Sequence, residues 1–476
     1  MLPSIPTKIV LGFAAAFRPL VEHYRTIRTT VPQLAVQSRF LLEQEPAGFQ
    51  VDFDALGAAD HGPVGVLLLS VGSPETPDDV EEYLYNVFCD PEILTLPPQF
   101  TWALKRPLAW YIAKTRSADA RAAMVAAGGH SPQLATIKAQ ASALQDDLRE
   151  RGVNAKLFIA MRYWHPFASE AVAQMKAENI TKLVILPLYP QFSIATSGSA
   201  LRVLERMLYT VEGFPMKSTV VPSWFNRQGF LQAASRAIVQ AIGMLSPEDA
   251  KEAHVLYSAQ GLPRKYIEDL GDPYQEQVEQ SVALINAELK ALGIENDYSL
   301  GYQGQVGPER VSWISPSTGD EILRLGSGGA CVLVLVPVSF VFEHMGTLNE
   351  MDREYAAIAA SCGVRSFVRV PTLGTDPSFI SALSSVVMEA LPDLNRPSMQ
   401  QINDGTPVAL NMVNEYVTLY TKDELQLVPQ EQPWGFSEQA EVVNGRLAMA
   451  AITLSVALSA DPTLKMLVQL YKQATE

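Results

Sequence analysis

Short apolar runs alternate with longer amphipathic segments from about residue 64 to residue 391. The apolar runs have strand length and lie at residues 64–69, 156–160, 182–186, 218–221, 254–257, 330–336 and 366–370. The segments with helical spacing of apolar residues lie at 133–151, 169–179, 227–244, 274–292, 347–360 and 377–391. This repeated strand and helix pattern predicts an α/β protein with doubly wound parallel sheets, whose strands are buried on both faces.

The pattern divides near residues 243–249, which predicts two lobes of similar size at residues 63–245 and 246–396 with a cleft between them. In such folds, ligands bind beyond the carboxyl ends of the strands. After the second lobe the periodicity lapses, and residues 397–433 carry several Pro, Asn and Gly residues. We interpret that stretch as a linker.

Both ends of the chain differ from the lobes. Within residues 434–476, the stretch 442–460 carries a single charge, Arg446, and is close to the roughly 20 residues that span a bilayer. We predict one transmembrane helix there, in preference to a buried helix of the soluble part, because the stretch follows a proline-bearing linker. In residues 1–62, the first 42 residues carry five basic residues and one acid, which is typical of a transit peptide. An amphipathic helix over residues 9–17, resting on a membrane or a partner, is the alternative that the sequence leaves open.

Charge and cysteine content argue against some classes of partner and site. The net charge is −15, which argues against a nucleic-acid partner because phosphate backbones attract clusters of Lys and Arg. Three widely spaced cysteines, Cys89, Cys331 and Cys362, indicate neither a disulfide framework nor a cysteine metal cluster.

Aromatic and polar residues concentrate at the predicted strand ends, which favours a flat, mostly apolar ligand held at its edges. These segments read GVLLLSVGSPET, MRYWHPF, LPLYPQFSIATSGSAL, SAQGLPRKY with GDPY, YQGQVGPER and PVSFVFEHMGTLNEMDREY. Together and in this order they resemble ferrochelatase, over residues 64 to about 393. The resemblance implies two Rossmann-like lobes of the chelatase type. It also implies Fe²⁺ and protoporphyrin IX as substrates, and no cofactor for catalysis.

Two positions depart from the resembled family. Similar enzymes place a histidine where this chain has Gln260, which we expect at the apex of a strand-end turn, and a glutamate where it has Gly346. Metallation of a porphyrin removes two pyrrole protons, so it needs a base with a free lone pair. An amide cannot take up a proton near pH 7 and glycine has no side chain, so we expect weak or absent activity.

Several acidic and imidazole groups remain near Gly346. Glu343 and His344 are the candidates to replace the missing base. Glu350 and Glu354 share a helix face with Gly346, so with His344 they are candidate metal ligands. Without the resemblance, we would interpret the two glutamates as a solvated helix face and His344 as a structural histidine. Four residues are predicted to bind the porphyrin: Ser70, Arg162, Tyr163 and Tyr189.

A second resemblance covers EVVNGRLAM, residues 441–449, which is similar to the chlorophyll a/b-binding helix motif. It implies that Glu441 coordinates a chlorophyll magnesium, with Asn444 and Arg446 in the same motif. A single such helix needs a partner for its charges, which implies a homodimer or a light-harvesting or photosystem subunit. The implied location is the thylakoid membrane of a plastid or cyanobacterium, with the lobes on the stromal side.

Two functions therefore compete. The first is a membrane-tethered ferrochelatase of haem biosynthesis with weak activity. The second is a non-catalytic relative that binds a tetrapyrrole or acts as a scaffold in a photosynthetic membrane complex.

Overall fold

A computed structural model describes residues 63–90, 93–94, 98–210, 217–304 and 311–391. The predicted N-terminal extension, the linker and the C-terminal helix with Glu441, Asn444 and Arg446 lie outside these residues, so they stay predictions. Within the described ranges, no helix is both long and apolar enough to cross a membrane. The three cysteines are free thiols, as the spacing indicates.

The first lobe contains four strands with their connecting helices. The strands are β1 (Val64–Ser70), β2 (Ala155–Met161), β3 (Lys182–Pro187) and β4 (Lys217–Val220). The α-helices are α1 (Val80–Phe88), α2 (Pro98–Ala126), α3 (Gln133–Glu150), α4 (Ala168–Ala177), α5 (Ser199–Thr210) and α6 (Gln228–Gly243). A 3₁₀ turn (Pro77–Asp79) precedes α1, and a π-helical segment (Ile194–Gly198) precedes α5.

The second lobe repeats this arrangement. Its strands are β5 (His254–Gln260), β6 (Tyr298–Gln303), β7 (Val332–Pro337) and β8 (Ser366–Arg369). Its α-helices are α7 (Pro247–Glu252), α8 (Arg264–Glu268), α9 (Tyr274–Ala291), α10 (Thr318–Ser327), α11 (Ala356–Ser361) and α12 (Pro377–Ala390). A second π-helical segment (Gly346–Tyr355) precedes α11.

Each lobe has one parallel four-stranded sheet. The strand orders are β2-β1-β3-β4 and β6-β5-β7-β8, so the two lobes share one topology. All pairs are parallel, as the continuous apolar strands predict. The carboxyl ends of the strands within each lobe therefore meet at one edge of its sheet.

Alternate residues of the central strands pack into different cores. In β1, Val66 and Leu68 belong to a core that both lobes share, whereas Leu67 and Leu69 pack in a core of the first lobe. In β5, Tyr257 faces the shared core. The hydrophobic effect therefore joins the two sheets through their inner faces.

The last helix crosses back to the first lobe. α12 contacts α6 and α3, although it follows β8 in the chain. Gly229 in α6 permits this close approach, because a Cβ atom there would collide with the Ser378 carbonyl oxygen. The final helix of the predicted second lobe, α12, thus packs against the first lobe.

The structure corrects three expectations. Gln260 is the last residue of β5 and not the apex of a turn, because its backbone continues the ladder opposite Gln303. The strand β6 is absent from the predicted set, since its sequence YSLGYQ has no continuous apolar run. The predicted helix over residues 347–360 is a π-helix up to Tyr355 and an α-helix only afterwards.

Candidate functional site

Two glutamines end neighbouring strands at the carboxyl edge of the second sheet. Gln260 and Gln303 are paired in register, and the Gly261 N–H donates to the Gln303 carbonyl oxygen at 2.7 Å. The Gln303 side-chain oxygen accepts from Ser258 Oγ at 3.0 Å. This edge therefore presents amides, which form hydrogen bonds but do not take up protons near pH 7.

Glu343 lies just beyond β7 and is held by several donors. Its Oε1 accepts from Arg369 Nη1 at 2.8 Å and from the Thr372 N–H at 3.0 Å, and its Oε2 accepts from Thr347 Oγ1 at 2.6 Å. Burial alone would raise the pKa of Glu343, but the Arg369 charge and these hydrogen bonds outweigh it and lower the pKa. Glu343 is therefore an ionised structural anchor and a poor base.

His344 is partly buried beside two aromatic rings. Its ring meets that of Phe340 edge-on, with centroids 4.5 Å apart, and that of Phe342 at 6.0 Å. Its Nδ1 accepts a hydrogen bond from the Gly346 N–H at 2.8 Å. Burial lowers the pKa of His344 to about 4, against the opposing influence of the Glu343 carboxylate. The imidazole is thus neutral at pH 7, with its Nδ1 lone pair already in use.

The space above Gly346 is filled. A Cβ atom at this position would lie 2.6 Å from His344 Cε1, 3.0 Å from His344 Nδ1 and 3.2 Å from Gln303 Nε2. The backbone of Gly346 does not need the left-handed region, in which the structure places other glycines. Glycine therefore fits here because of close packing and not because of backbone conformation.

The two following glutamates differ from one another. Glu354 is exposed and accepts from Asn349 Nδ2 at 2.6 Å. Burial and the nearby Glu354 charge raise the pKa of Glu350 to about 7, although the Gly304 N–H opposes this shift. Glu350 Oε2 is sealed from solvent without a hydrogen-bond partner in the described part of the chain.

The predicted metal ligands do not form a three-ligand group. Across the described ranges, no three His, Cys, Asp or Glu side chains are close enough together to hold a metal ion. His344, Glu350 and Glu354 are thus on one segment but are not arranged as a ready metal centre.

The first lobe brings Arg162 and Tyr163 together around a buried carboxylate. Asp90 Oδ2 accepts from Arg162 Nη2 and from the Tyr163 hydroxyl, each at 2.6 Å. Burial and the Asp90 charge raise the pKa of Tyr163 well above its usual range. Arg162 is 17% exposed, so it could contact a ligand only while sharing its guanidinium with Asp90.

Ser70 and Tyr189 lie at the same edge of the first sheet. Ser70 Oγ accepts from Gln133 Nε2 at 2.8 Å, and its carbonyl accepts from the Arg162 N–H at 2.9 Å. Burial raises the pKa of Tyr189 well above its usual value. The nearby Ser70 side chain favours the ionised phenol, but it opposes this shift only in part. A cavity of about 210 Å³ opens here between β1, β2, α4 and α5. Its lining includes Leu69, Ser70, Met161, Arg162, Phe167 and Met207. The four predicted porphyrin-binding residues are therefore gathered at one sheet edge.

A buried carboxylate ties the two lobes together. Asp272 Oδ2 accepts from Ser193 Oγ and from the Ile194 N–H, each at 2.8 Å, and its Oδ1 accepts from the Tyr274 N–H at 3.0 Å. Burial raises the pKa of Asp272 to about 6, against these hydrogen bonds. The segment after β3 is thereby fixed to the start of α9.

Sequence reasoning missed the partners of the predicted site residues. Gln303, Arg369 and Asp90 each contact a predicted residue that is distant in sequence. A single sequence carries no signal for these contacts, because they follow from strand register and packing. The nearest hint was the position of Gln303 in the YQGQVGPER segment.

The chain has clear relatives. The family model described as Ferrochelatase matches residues 63–391. Ferrochelatase-2, chloroplastic, from Arabidopsis thaliana is 43% identical over 397 residues, which cover 83% of this chain and 77% of that protein. Ferrochelatase from Synechococcus elongatus is 45% identical over 390 residues, which cover 82% of this chain and 94% of that protein. Of solved structures, SirB from Bacillus subtilis with Fe³⁺ is similar at a TM-score of 0.39 and 12% identity, over 70% of this chain and 97% of that chain.

The family model spans both lobes, and the relatives match over most of their own length. With the shared motifs and the two parallel sheets, these matches show that the chain belongs to the ferrochelatase family.

Proposed function

We propose that this chain binds a protoporphyrin-type tetrapyrrole of haem biosynthesis and inserts Fe²⁺ into it weakly or not at all. One observation carries the proposal: His344 Nδ1, the nearest imidazole lone pair to the altered positions, is occupied by the Gly346 N–H. Gln260 at the strand end cannot replace it, because an amide is not a base near pH 7.

The remaining carboxylates support the same conclusion. Glu343 is engaged by Arg369, Thr347 and Thr372, so proton uptake there would weaken an ion pair. Glu350 has a pKa near the working pH, but its free oxygen is sealed from solvent. Without a positioned base, removal of the pyrrole protons loses about 10²- to 10⁴-fold in rate.

Tetrapyrrole binding is supported by the first lobe. The cavity at this edge is lined by Ser70, Arg162 and mostly apolar side chains, and the phenols of Tyr163 and Tyr189 at the same edge are neutral. Such a mixture suits an apolar macrocycle with anionic side chains, since Arg binds carboxylates through paired N–H groups. The alternative function, a non-catalytic tetrapyrrole-binding or scaffold protein of a photosynthetic membrane complex, keeps this edge and gives up metallation entirely.

The location follows from the relatives and from the C-terminal motif. Its relatives are named as chloroplastic or come from cyanobacteria, which supports a plastid location. The 442–460 stretch would place the chain in the thylakoid membrane with the lobes on the stromal side. There Glu441, Asn444 and Arg446 would bind chlorophyll with a second copy or a light-harvesting or photosystem subunit.

The test is a metallation assay on the purified full chain with protoporphyrin IX and anaerobic Fe²⁺, or Zn²⁺ as a surrogate. We expect a rate at least about 10²-fold below that of a histidine-bearing relative. A rate equal to that of the relative would contradict the proposal.

Restoring the altered positions provides the converse test. Gly346→Glu needs room, because its Cβ would lie 2.6 Å from the His344 ring, so the variant combines Gln260→His and Gly346→Glu with His344→Ala. We expect metallation to rise above that of the original chain. The matched control is Gln280→His on the exposed face of α9, which should leave the rate unchanged.

A further inference from the structure

We infer that His344 is a positioning residue: its ring occupies the place of a side chain at position 346 and presents an N–H, not a lone pair, to the ligand. This inference deepens the proposed function and rests on it for the identity of the ligand, a free-base tetrapyrrole. If the inference holds, the His344 ring can keep its orientation only while residue 346 is a glycine.

The tautomer follows from one hydrogen bond. Nδ1 accepts the Gly346 N–H at 2.8 Å, so in the neutral ring the proton must be on Nε2. In the described part of the chain no residue accepts a hydrogen bond from Nε2, and that atom is not among the buried polar atoms that lack a partner. His344 therefore has one free donor and no free acceptor.

The orientation is held from several sides. Phe340 packs edge-on against the ring at 4.5 Å, and Gln303 Nε2 fills the space beside it. The His344 backbone is fixed as well, since its N–H donates to Thr347 Oγ1 at 3.0 Å and its carbonyl accepts from the Thr347 N–H at 3.0 Å. Rotation of the ring would lose the Gly346 hydrogen bond and these contacts together.

The consequence for the ligand is direct. A free-base porphyrin has two unprotonated ring nitrogens that accept hydrogen bonds and two N–H groups that must lose their protons on metallation. A donor at Nε2 stabilises the unprotonated nitrogens and takes no proton. The side chain that the sequence offers as a substitute base thus favours retention of the free base.

The experiment is nitrogen-15 NMR of the full chain labelled at its six histidines, with the His344 signals assigned by loss in His344→Gln. At pH 7, we expect His344 to be a single tautomer with Nε2 protonated. In Gly346→Ala, the new Cβ should displace the ring, so both nitrogens should shift toward a mixture of tautomers. Gly319→Ala is the matched control, because its Cβ would meet only ordinary contacts at 3.5 Å or more. A wild-type ring protonated at Nδ1, or an unaltered spectrum in Gly346→Ala, would overturn the inference.

A double-variant cycle remains informative if Gly346→Ala folds poorly. His344→Ala removes the colliding ring, so it should recover most of the melting temperature that Gly346→Ala loses. Additive losses of melting temperature in the double variant would contradict the inferred dependence of the His344 orientation on Gly346.

Addition of protoporphyrin IX tests the contact with the ligand. We expect saturation to move the His344 Nε2 signal and leave the Nδ1 hydrogen bond intact. Bound porphyrin with an unmoved Nε2 signal would overturn the donor role alone. Absence of porphyrin binding would overturn the proposed function and the donor role. The tautomer measurement and the double-variant cycle would still test whether Gly346 fixes the orientation of the His344 ring.

Discussion

Single residues at the second sheet edge depend on one another for their chemistry. Gly346 provides the space that the His344 ring uses, and its N–H holds Nδ1 of that ring. Arg369 keeps Glu343 ionised and occupied. The proposed loss of a base would therefore be a property of a packed group and not of Gln260 alone.

Glu350 gives a prediction about pH. Its pKa is raised to about 7 from an ordinary 4.5, so the folded chain favours the protonated carboxyl. This contribution to stability is complete below about pH 4.5 and is lost as the pH rises through about 7. Glu350→Gln, which mimics the protonated form, should therefore stabilise the chain at pH 8 by on the order of 2–3 kcal/mol.

Denaturant unfolding at pH 5 and pH 8 checks this expectation. The gain should be much smaller at pH 5, and Glu295→Gln at an exposed position should show no gain at either pH. A loss of stability at pH 8 in Glu350→Gln would mean that the carboxyl is ionised and satisfied.

At this scale the sequence identified the altered positions but not their surroundings. Gln260, Gly346, His344 and Glu343 were all recognisable from short motifs. The occupied state of His344 was not, because it depends on a backbone N–H two residues away and on the rotamer of the ring. Gln303 was equally hidden, since its role comes from the pairing of β5 with β6.

Secondary-structure elements place these residues. The strands β1, β3 and β7 were predictable because runs of apolar residues are buried on both faces in parallel sheets. The π-helix at Gly346–Tyr355 was not predictable, because hydrophobic spacing does not distinguish i→i+5 from i→i+4 hydrogen bonding over so short a segment. Such π-helical segments follow β3 and β7, at equivalent places in the two lobes.

The contact between α6 and α12 gives a prediction at the level of elements. In Gly229→Ala, the added methyl group collides with the Ser378 carbonyl, so the helices must separate. We expect a loss of about 1–3 kcal/mol in the free energy of unfolding, as for overpacked cores. Gly243→Ala in the same helix is the control, because nothing lies within 4 Å of its Cβ and alanine favours helices. Equal stability of the two variants in urea unfolding would contradict the close approach.

The whole molecule is held together by the shared core and by polar ties between the lobes. Val66 and Tyr257 from the two sheets belong to one hydrophobic cluster. Gln140 in α3 donates to the carbonyl groups of Val341 and Gly374, each at 2.9 Å. The alternation of strands and helices predicted two lobes, whereas the return of α12 to the first lobe depends on long-range packing that the pattern does not encode.

Asp272 gives a prediction for the joined lobes. Asp272→Ala leaves Ser193 Oγ and the N–H groups of Ile194 and Tyr274 without their acceptor. We expect a loss of roughly 2–4 kcal/mol, since unsatisfied buried donors are costly. Amide hydrogen exchange should report lower protection both in the segment after β3, at Ile194, and at the start of α9, at Tyr274. Asp269→Ala, at an exposed position in the same turn, should leave both segments protected, and a loss confined to one segment would contradict the link between the lobes.

We propose that the chain holds a tetrapyrrole without removing its protons. The most direct measurement loads the purified full chain with protoporphyrin IX, adds excess Zn²⁺ and follows porphyrin absorption in a single turnover. We predict a shifted Soret band on binding and a free-base spectrum that persists on the time scale in which a histidine-bearing relative completes insertion. Rapid conversion of the bound porphyrin to its zinc form would contradict the claim.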